Sequence, residues 1–236
     1  MTRKQYSKKE VKKRAIPQPY LRIVKPKTKN QYNYLEALTN RQIPIVVGSG
    51  PAGTGKTQLA VFAAAKAIYD GVIGKIILTR PVVEAGGEKL GFLPGTLEEK
   101  IDPYMRPLFD SFAKCFDKNT FSNLIDRNII EICPLAYIRG RTFIDSYVIL
   151  DEAQNATVDQ IKMVLTRLGT GSQIALTGDP SQSDLPTELK GGLLVWAEKV
   201  FEGEDYAAVC NLYDEDCQRR PEVVALLKKY YGNVVK

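Results

Sequence analysis

Residues 42–71 read QIPIVVGSGPAGTGKTQLAVFAAAKAIYDG, and no other stretch limits the architecture as strongly. A β-branched apolar run passes into a glycine-rich loop, then directly into an alanine-rich helical pattern that Gly71 stops. A buried strand that hands over to a helix belongs in a parallel sheet, because the return path crosses a sheet face. The same alternation recurs downstream. GKIILTRP, IIEICPLAYI (followed by the polar turn RGRT), SYVIL, SQIALTGD and YAAVCNL read as strands. The helical readings are PKTKNQYNYLEALTN, with Tyr34, Leu35 and Leu38 on one face, then LFDSFAKCF, FSNLIDR, TVDQIKMVLTRLG closed by Gly169, GGLLVWAEKVF and PEVVALLKKYY. VVEAGGEKLGFLPGTLEEKIDPYMRP reads as irregular and is too long for an ordinary connection. The expectation is an α/β fold, a parallel sheet with helices on both faces. The loops GSGPAGTGKT, TRP, DEAQ and GDPSQSD all follow strands and should converge on one edge of the sheet.

Those loops carry the chemistry. GPAGTGKT fits G-x-x-x-x-G-K-[ST] in the strand–helix context that the pattern requires. Gly50, Pro51, Ala52, Gly53, Thr54 and Gly55 would form a loop whose backbone N–H groups cradle phosphate oxygens, with the positive end of the next helix behind them. Lys56 would reach the outer phosphates and the Thr57 hydroxyl would ligate Mg²⁺. YVILDEAQN then places two carboxylates at the end of an apolar run. Asp151 is expected to be the second anchor of the metal, whose charge offsets its own. Glu152 is expected to polarise the attacking water as general base, a group that a hydrolase needs and a simple kinase does not. In LTGDPSQSDLP, Gln182 is positioned to sense the terminal phosphate or the water, while Asp179 and Asp184 organise the loop. Charge developing on a transferring phosphoryl group calls for an arginine. Arg80, Arg139, Arg141, Arg219 and Arg220 all remain open for that role.

Composition narrows the setting. Of 236 residues 44% are apolar, enough for one core plus appendages. There is no histidine, so proton handling falls to carboxylate, lysine or tyrosine. The cysteines (Cys115, Cys133, Cys210 and Cys217) are scattered and read as free thiols of a reducing, cytoplasmic compartment. No apolar run is long enough for a membrane span, and the N-terminus is not expected to be a secretory signal. The net charge of +6 is local: seven basic residues and one acidic residue fall in residues 1–15, leaving 26 of each sign elsewhere. Residues 1–30 are therefore expected to be a basic arm, flexible at its start and suited to polyanions.

The blocks GPAGTGKTQLA, IILTRPVVEAGGEKLGFLPGTLEEKIDPYMRPLFD, AYIRGRTFIDSYVILDEAQNATVDQIKMVLTRLG and TGDPSQSDLP resemble the PhoH family, P-loop ATPases related to the superfamily-one helicases. The resemblance implies a RecA-like core over residues 31–236, ATP hydrolysis with Mg²⁺, and an RNA-linked activity. By the same resemblance Gln31 would contact adenine. DCQRRP, with Arg219, would stand for the family's C-terminal arginine motif, although Gln218 and Arg220 depart from it. EAGGEKLG carries one glycine beyond the usual spacing, Gly86 or Gly87. No PIN-type nuclease or KH-type RNA domain is expected, and the length suits a phage or a minimal bacterial version, acting in the host cytoplasm if phage-encoded. One P-loop without a second RecA-like fold suggests a homo-oligomer, a hexameric ring favoured, on single-stranded nucleic acid, RNA favoured. In such a ring Arg139 or Arg219 would complete the site. The competing expectation is a nucleotide-dependent assembly switch with slow turnover and no unwinding. A small-molecule kinase is disfavoured by Glu152 and Gln182.

Overall fold

The computed structural model describes residues 21–81, 97–186 and 192–232. Most of the basic arm (residues 1–20) and most of the irregular stretch (residues 82–96, with Gly86 and Gly87) lie outside the described residues. Six strands form one sheet: β1 (Ile45–Ser49), β2 (Lys75–Thr79), β3 (Ile130–Ile132), β4 (Ser146–Leu150), β5 (Gln173–Gly178) and β6 (Ala207–Asn211). Their order is β3-β2-β4-β5-β1-β6, and every pairing is parallel. The helices are α1 (Lys29–Thr39), α2 (Lys56–Tyr69), α3 (Leu97–Cys115), α4 (Lys118–Asp126), α5 (Val158–Leu165), α6 (Gly192–Phe201) and α7 (Pro221–Gly232). Thus the expected α/β class holds, with the RecA-like arrangement of helices on both faces.

Successive strand residues feed two cores, as the pleat requires. Ile76, Leu78, Tyr147 and Ile149 pack with Tyr34 and Leu38 of α1, the alanine-rich face of α2, and Leu108 and Phe112 of α3. On the other face Ile77, Val148, Leu150, Ile174 and Leu176 pack with Ile161 and Val164 of α5 and with Ala197 and Phe201 of α6. Leu21 and Val24 pack against the first core, and the Arg22 N–H donates to the Cys115 carbonyl at 2.8 Å. The packed chain therefore begins ahead of the boundary at residue 31. Among the described residues no helix is long and apolar enough to cross a membrane.

Three elements differ from expectation. Helix α3 starts at Leu97, inside the stretch read as irregular, and runs through Pro103 and Pro107. Each proline withholds one N–H, but Met105, Leu108, Phe112 and Cys115 recur at helical spacing and are all buried. Strand β3 has three residues, because Pro134 has no N–H to extend the ladder and Leu135–Tyr137 turns as a 3-10 helix. Helix α5, opened by the Thr157–Gln160 capping box, ends at Leu165, not at Gly169. Gly169 serves instead as a close-approach point: a Cβ there would sit 2.7 Å from the Phe143 carbonyl oxygen, which accepts the Gly169 N–H.

Candidate active site

The sheet sets the geometry. Ser49, the last residue of β1, is in register with Gly178 of β5 and Asn211 of β6, and Thr79 of β2 with Leu150 of β4. The loops after these strands therefore meet at one edge, as expected. Because β5 lies between β1 and β4, the phosphate-type loop and the paired carboxylates face each other across its end.

The loop Gly50–Gly55 depends on its glycines at two points. Gly50 has φ of +144°, and a Cβ there would lie 2.1 Å from the Leu212 carbonyl oxygen. Gly55 has φ of +89° and is the N-cap of α2; it offers no side chain to cap the helix, so the first N–H groups of α2 stay open toward the loop. The Thr54 hydroxyl donates to the Pro51 carbonyl at 2.9 Å and is fully buried under the turn. Lys56 Nζ donates to the carbonyls of Gly50 and Pro51 at 2.6 and 2.8 Å. Burial pulls the Lys56 ammonium below the usual lysine range, partly offset by Asp179, Glu152 and Asp151.

The two carboxylates of the DEAQ segment diverge. Asp151 is 3% exposed, and its Oδ1 accepts the hydroxyls of Thr57 at 2.8 Å and Thr177 at 2.6 Å. Glu152 sits at φ +52°, a left-handed conformation uncommon outside glycine, which turns its side chain away from that of Asp151. Its Oε1 pairs with Arg80 Nη2 at 3.1 Å and its Oε2 accepts from Gln154 Nε2 at 2.6 Å. Gln154 continues inward, its Oε1 accepting the Asp179 N–H at 3.1 Å. Asp179 then accepts the Ala52 N–H at 3.1 Å and Gln182 Nε2 at 2.5 Å through Oδ2, and the Ser181 N–H through Oδ1. A continuous polar chain thus links Glu152 to the glycine-rich loop.

These groups border a cleft of about 260 Å³, lined by the loop, Thr57, Asp151, Glu152, Asp179, Gln182 and Arg219. Arg219 lies over Gly53, its Nε 2.8 Å from where a Cβ would stand, and the neighbouring Gln218 N–H donates to the Gly53 carbonyl at 2.9 Å. A larger hollow of about 530 Å³ between Leu21–Pro26 and α1 holds none of these groups. Gln31 does not line the cleft. Its amide N–H groups go to the carbonyls of Thr54 (2.9 Å) and Asp216 (3.1 Å), and its oxygen accepts the Lys27 N–H, so it braces the loop against the C-terminal segment. Arg139 is exposed on the turn after β3 and also stays outside the cleft. Arg141 is held by Glu131 and Cys133 and stacks over Phe143, and Arg220 is exposed near Glu222.

Sequence reasoning missed four contributors. Thr177, Gln154 and the Arg80–Glu152 pairing depend on which strands are neighbours. The fourth, Asp216, is buried and accepts from Thr28, Asn30 and the Tyr213 N–H. Burial alone would raise its carboxyl, but these hydrogen bonds outweigh burial and hold it below the usual range.

A parallel α/β sheet with a glycine-rich loop entering a helix, and carboxylates across the next strand but one, defines a P-loop architecture of RecA type. The sequence profile described as PhoH-like protein matches residues 23–231, and the chain belongs to that family. A PhoH-like protein of Bacillus subtilis (strain 168) is 51% identical over 207 residues, covering 88% of this chain and 64% of that one. Protein PhoH of Escherichia coli (strain K12) is 41% identical over 191 residues, covering 80% and 53%. The chain thus spans between about half and two thirds of the length of these relatives. The large terminase from a thermophilic bacteriophage shares the fold at a TM-score of 0.53 and 11% identity, over 87% of this chain and 50% of that one.

Proposed function

We propose that this chain binds ATP with Mg²⁺ and hydrolyses it. The single observation that carries the reading is the separation of two adjacent carboxylates: Asp151 bonds the Thr57 hydroxyl, while Glu152 borders the cleft from a left-handed backbone. The residues fit the groups. Open N–H groups at the start of α2 and the buried Lys56 suit phosphate oxygens, and the oxygens of Thr57 and Asp151 suit a hard divalent cation. When bound there, Mg²⁺ supplies neutralisation of the phosphate charge. Lys56 exchanges its loop carbonyls for the outer phosphates. Glu152 accepts the proton of the attacking water, and Gln182, anchored on Asp179, orients that water. Arg219 faces the developing charge from above Gly53.

Coupling to single-stranded nucleic acid, RNA favoured, is part of the same reading, supported by family membership and the basic residues 1–15. So is assembly into a ring, hexameric by preference, in the cytoplasm. The exposed Arg139 is the candidate to act on a neighbour's nucleotide. ATP turnover with poly(U) RNA, with single-stranded DNA and with neither, alongside mass in solution, tests this. Stimulation by RNA in an oligomer is the expected result. Full activity as a monomer contradicts the ring, and indifference to every nucleic acid favours the slow assembly switch.

A further inference from the structure

Arg80 follows directly on β2 and touches two elements at once. Its Nη2 ion-pairs with Glu152 Oε1 at 3.1 Å, and its Nη1 donates to the Tyr104 carbonyl of α3 at 2.9 Å. The side chains of Arg80 and Glu152 are 21% and 36% exposed, so the pair is shielded but not sealed. The other oxygen of Glu152 is held by Gln154. Both oxygens of the carboxylate assigned as base are therefore engaged by the protein itself. A general base must offer an oxygen to water at hydrogen-bond distance. Of the two contacts, that of Gln154 belongs to the polar chain fixing the loop, whereas that of Arg80 leads out to a separate helix. That helix also bonds α2: Gln58, next after Thr57, donates through Nε2 to the Ser111 carbonyl of α3 at 3.2 Å.

We propose that Arg80 is a positioning residue that latches Glu152, so that the placement of α3 against β2 governs how readily the carboxylate receives water. This deepens the hydrolysis reading and rests on it. While α3 keeps the Tyr104 carbonyl on Arg80, the guanidinium stays on Glu152 and turnover is slow. A shift of α3 draws Arg80 away and leaves Oε1 for the water. The latch gives RNA a route to the chemistry that requires no contact with the nucleotide.

The test compares wild type, Arg80→Met and Arg80→Lys by steady-state ATP turnover with and without poly(U) RNA, with melting temperature as a check on folding. Arg80→Met should raise kcat without RNA roughly fivefold, leave KM for ATP within about twofold, and shrink the stimulation by RNA. Arg80→Lys, which keeps the charge, should return kcat toward wild type. A merely structural role would instead raise KM and lower the melting temperature, and that outcome overturns the proposal. So does a kcat that is unchanged, or one that falls toward that of Glu152→Gln. If wild type itself shows no turnover, the hydrolysis reading fails and the latch with it; wild-type turnover with an unmoved Arg80→Met defeats the latch alone.

Discussion

Asp151 Oδ1 takes two hydroxyls, from Thr57 on α2 and Thr177 on β5. Thr57 belongs to the phosphate-loop motif and was legible in the sequence. Thr177 was not, because its hydroxyl matters only once β5 is known to lie between β1 and β4, and strand order leaves no local mark. Thr177→Val removes the hydroxyl at nearly constant shape, leaving a buried carboxylate short of one donor. Losing a hydrogen bond to a charged group costs about 1.5–3 kcal/mol. The variant should melt several degrees below wild type, read by thermal unfolding, and need more Mg²⁺ for half-maximal turnover, read by titrating the metal. An unchanged melting temperature and Mg²⁺ requirement would remove Thr177 from the site. Glu152 teaches the same lesson differently: the residue was legible, but its left-handed backbone and its partners Arg80 and Gln154 were not.

At the scale of elements, apolar runs and helical periodicity marked the strands and helices in order, since each depends on neighbours within a few residues. Where they failed, a longer-range force decided. The buried face of α3 carried helix through two prolines, and Pro134 cut β3 short. Short β3 at the sheet edge is reinforced by charge: Arg141 holds Glu131 through both oxygens, and Lys75 of β2 adds a bond at 2.6 Å. The Arg141 bond chiefly keeps the Glu131 carboxyl below the usual glutamate range against the opposing effect of burial, and Lys75 assists. A carboxyl held low in the folded state stabilises it above its unfolded pKa and loses that contribution as pH falls through the folded value. Wild type should therefore be more stable than Glu131→Gln near neutral pH, and the gap should close as pH falls below the ordinary glutamate range, as read by urea unfolding. A gap that is constant with pH would mean the edge is not held by this charge cluster.

For the whole molecule, one parallel sheet brings four loops, remote in sequence, to one edge, and the site is the product of that convergence. The cleft-lining residues Lys56, Thr57, Asp151, Glu152, Asp179 and Gln182 could be picked out in the sequence because each loop carries its own motif. How they are wired together could not, since that depends on the chain Glu152–Gln154–Asp179–Ala52 spanning three loops. Gln31, expected at the adenine by resemblance, ties the loop to the C-terminal segment through the N–H groups of its side-chain amide. The proposed function stands or falls on Glu152 as the base of an ATP hydrolysis whose phosphates are held by Lys56 and its loop. Phosphate release from Mg·ATP by wild type and Glu152→Gln side by side, with ATP affinity measured on both, decides it. Wild type should turn over, Glu152→Gln should fall by at least about a hundredfold, and its ATP affinity should stay within a few fold of wild type. Turnover by Glu152→Gln at the wild-type rate, or loss of ATP binding together with turnover, would contradict that assignment.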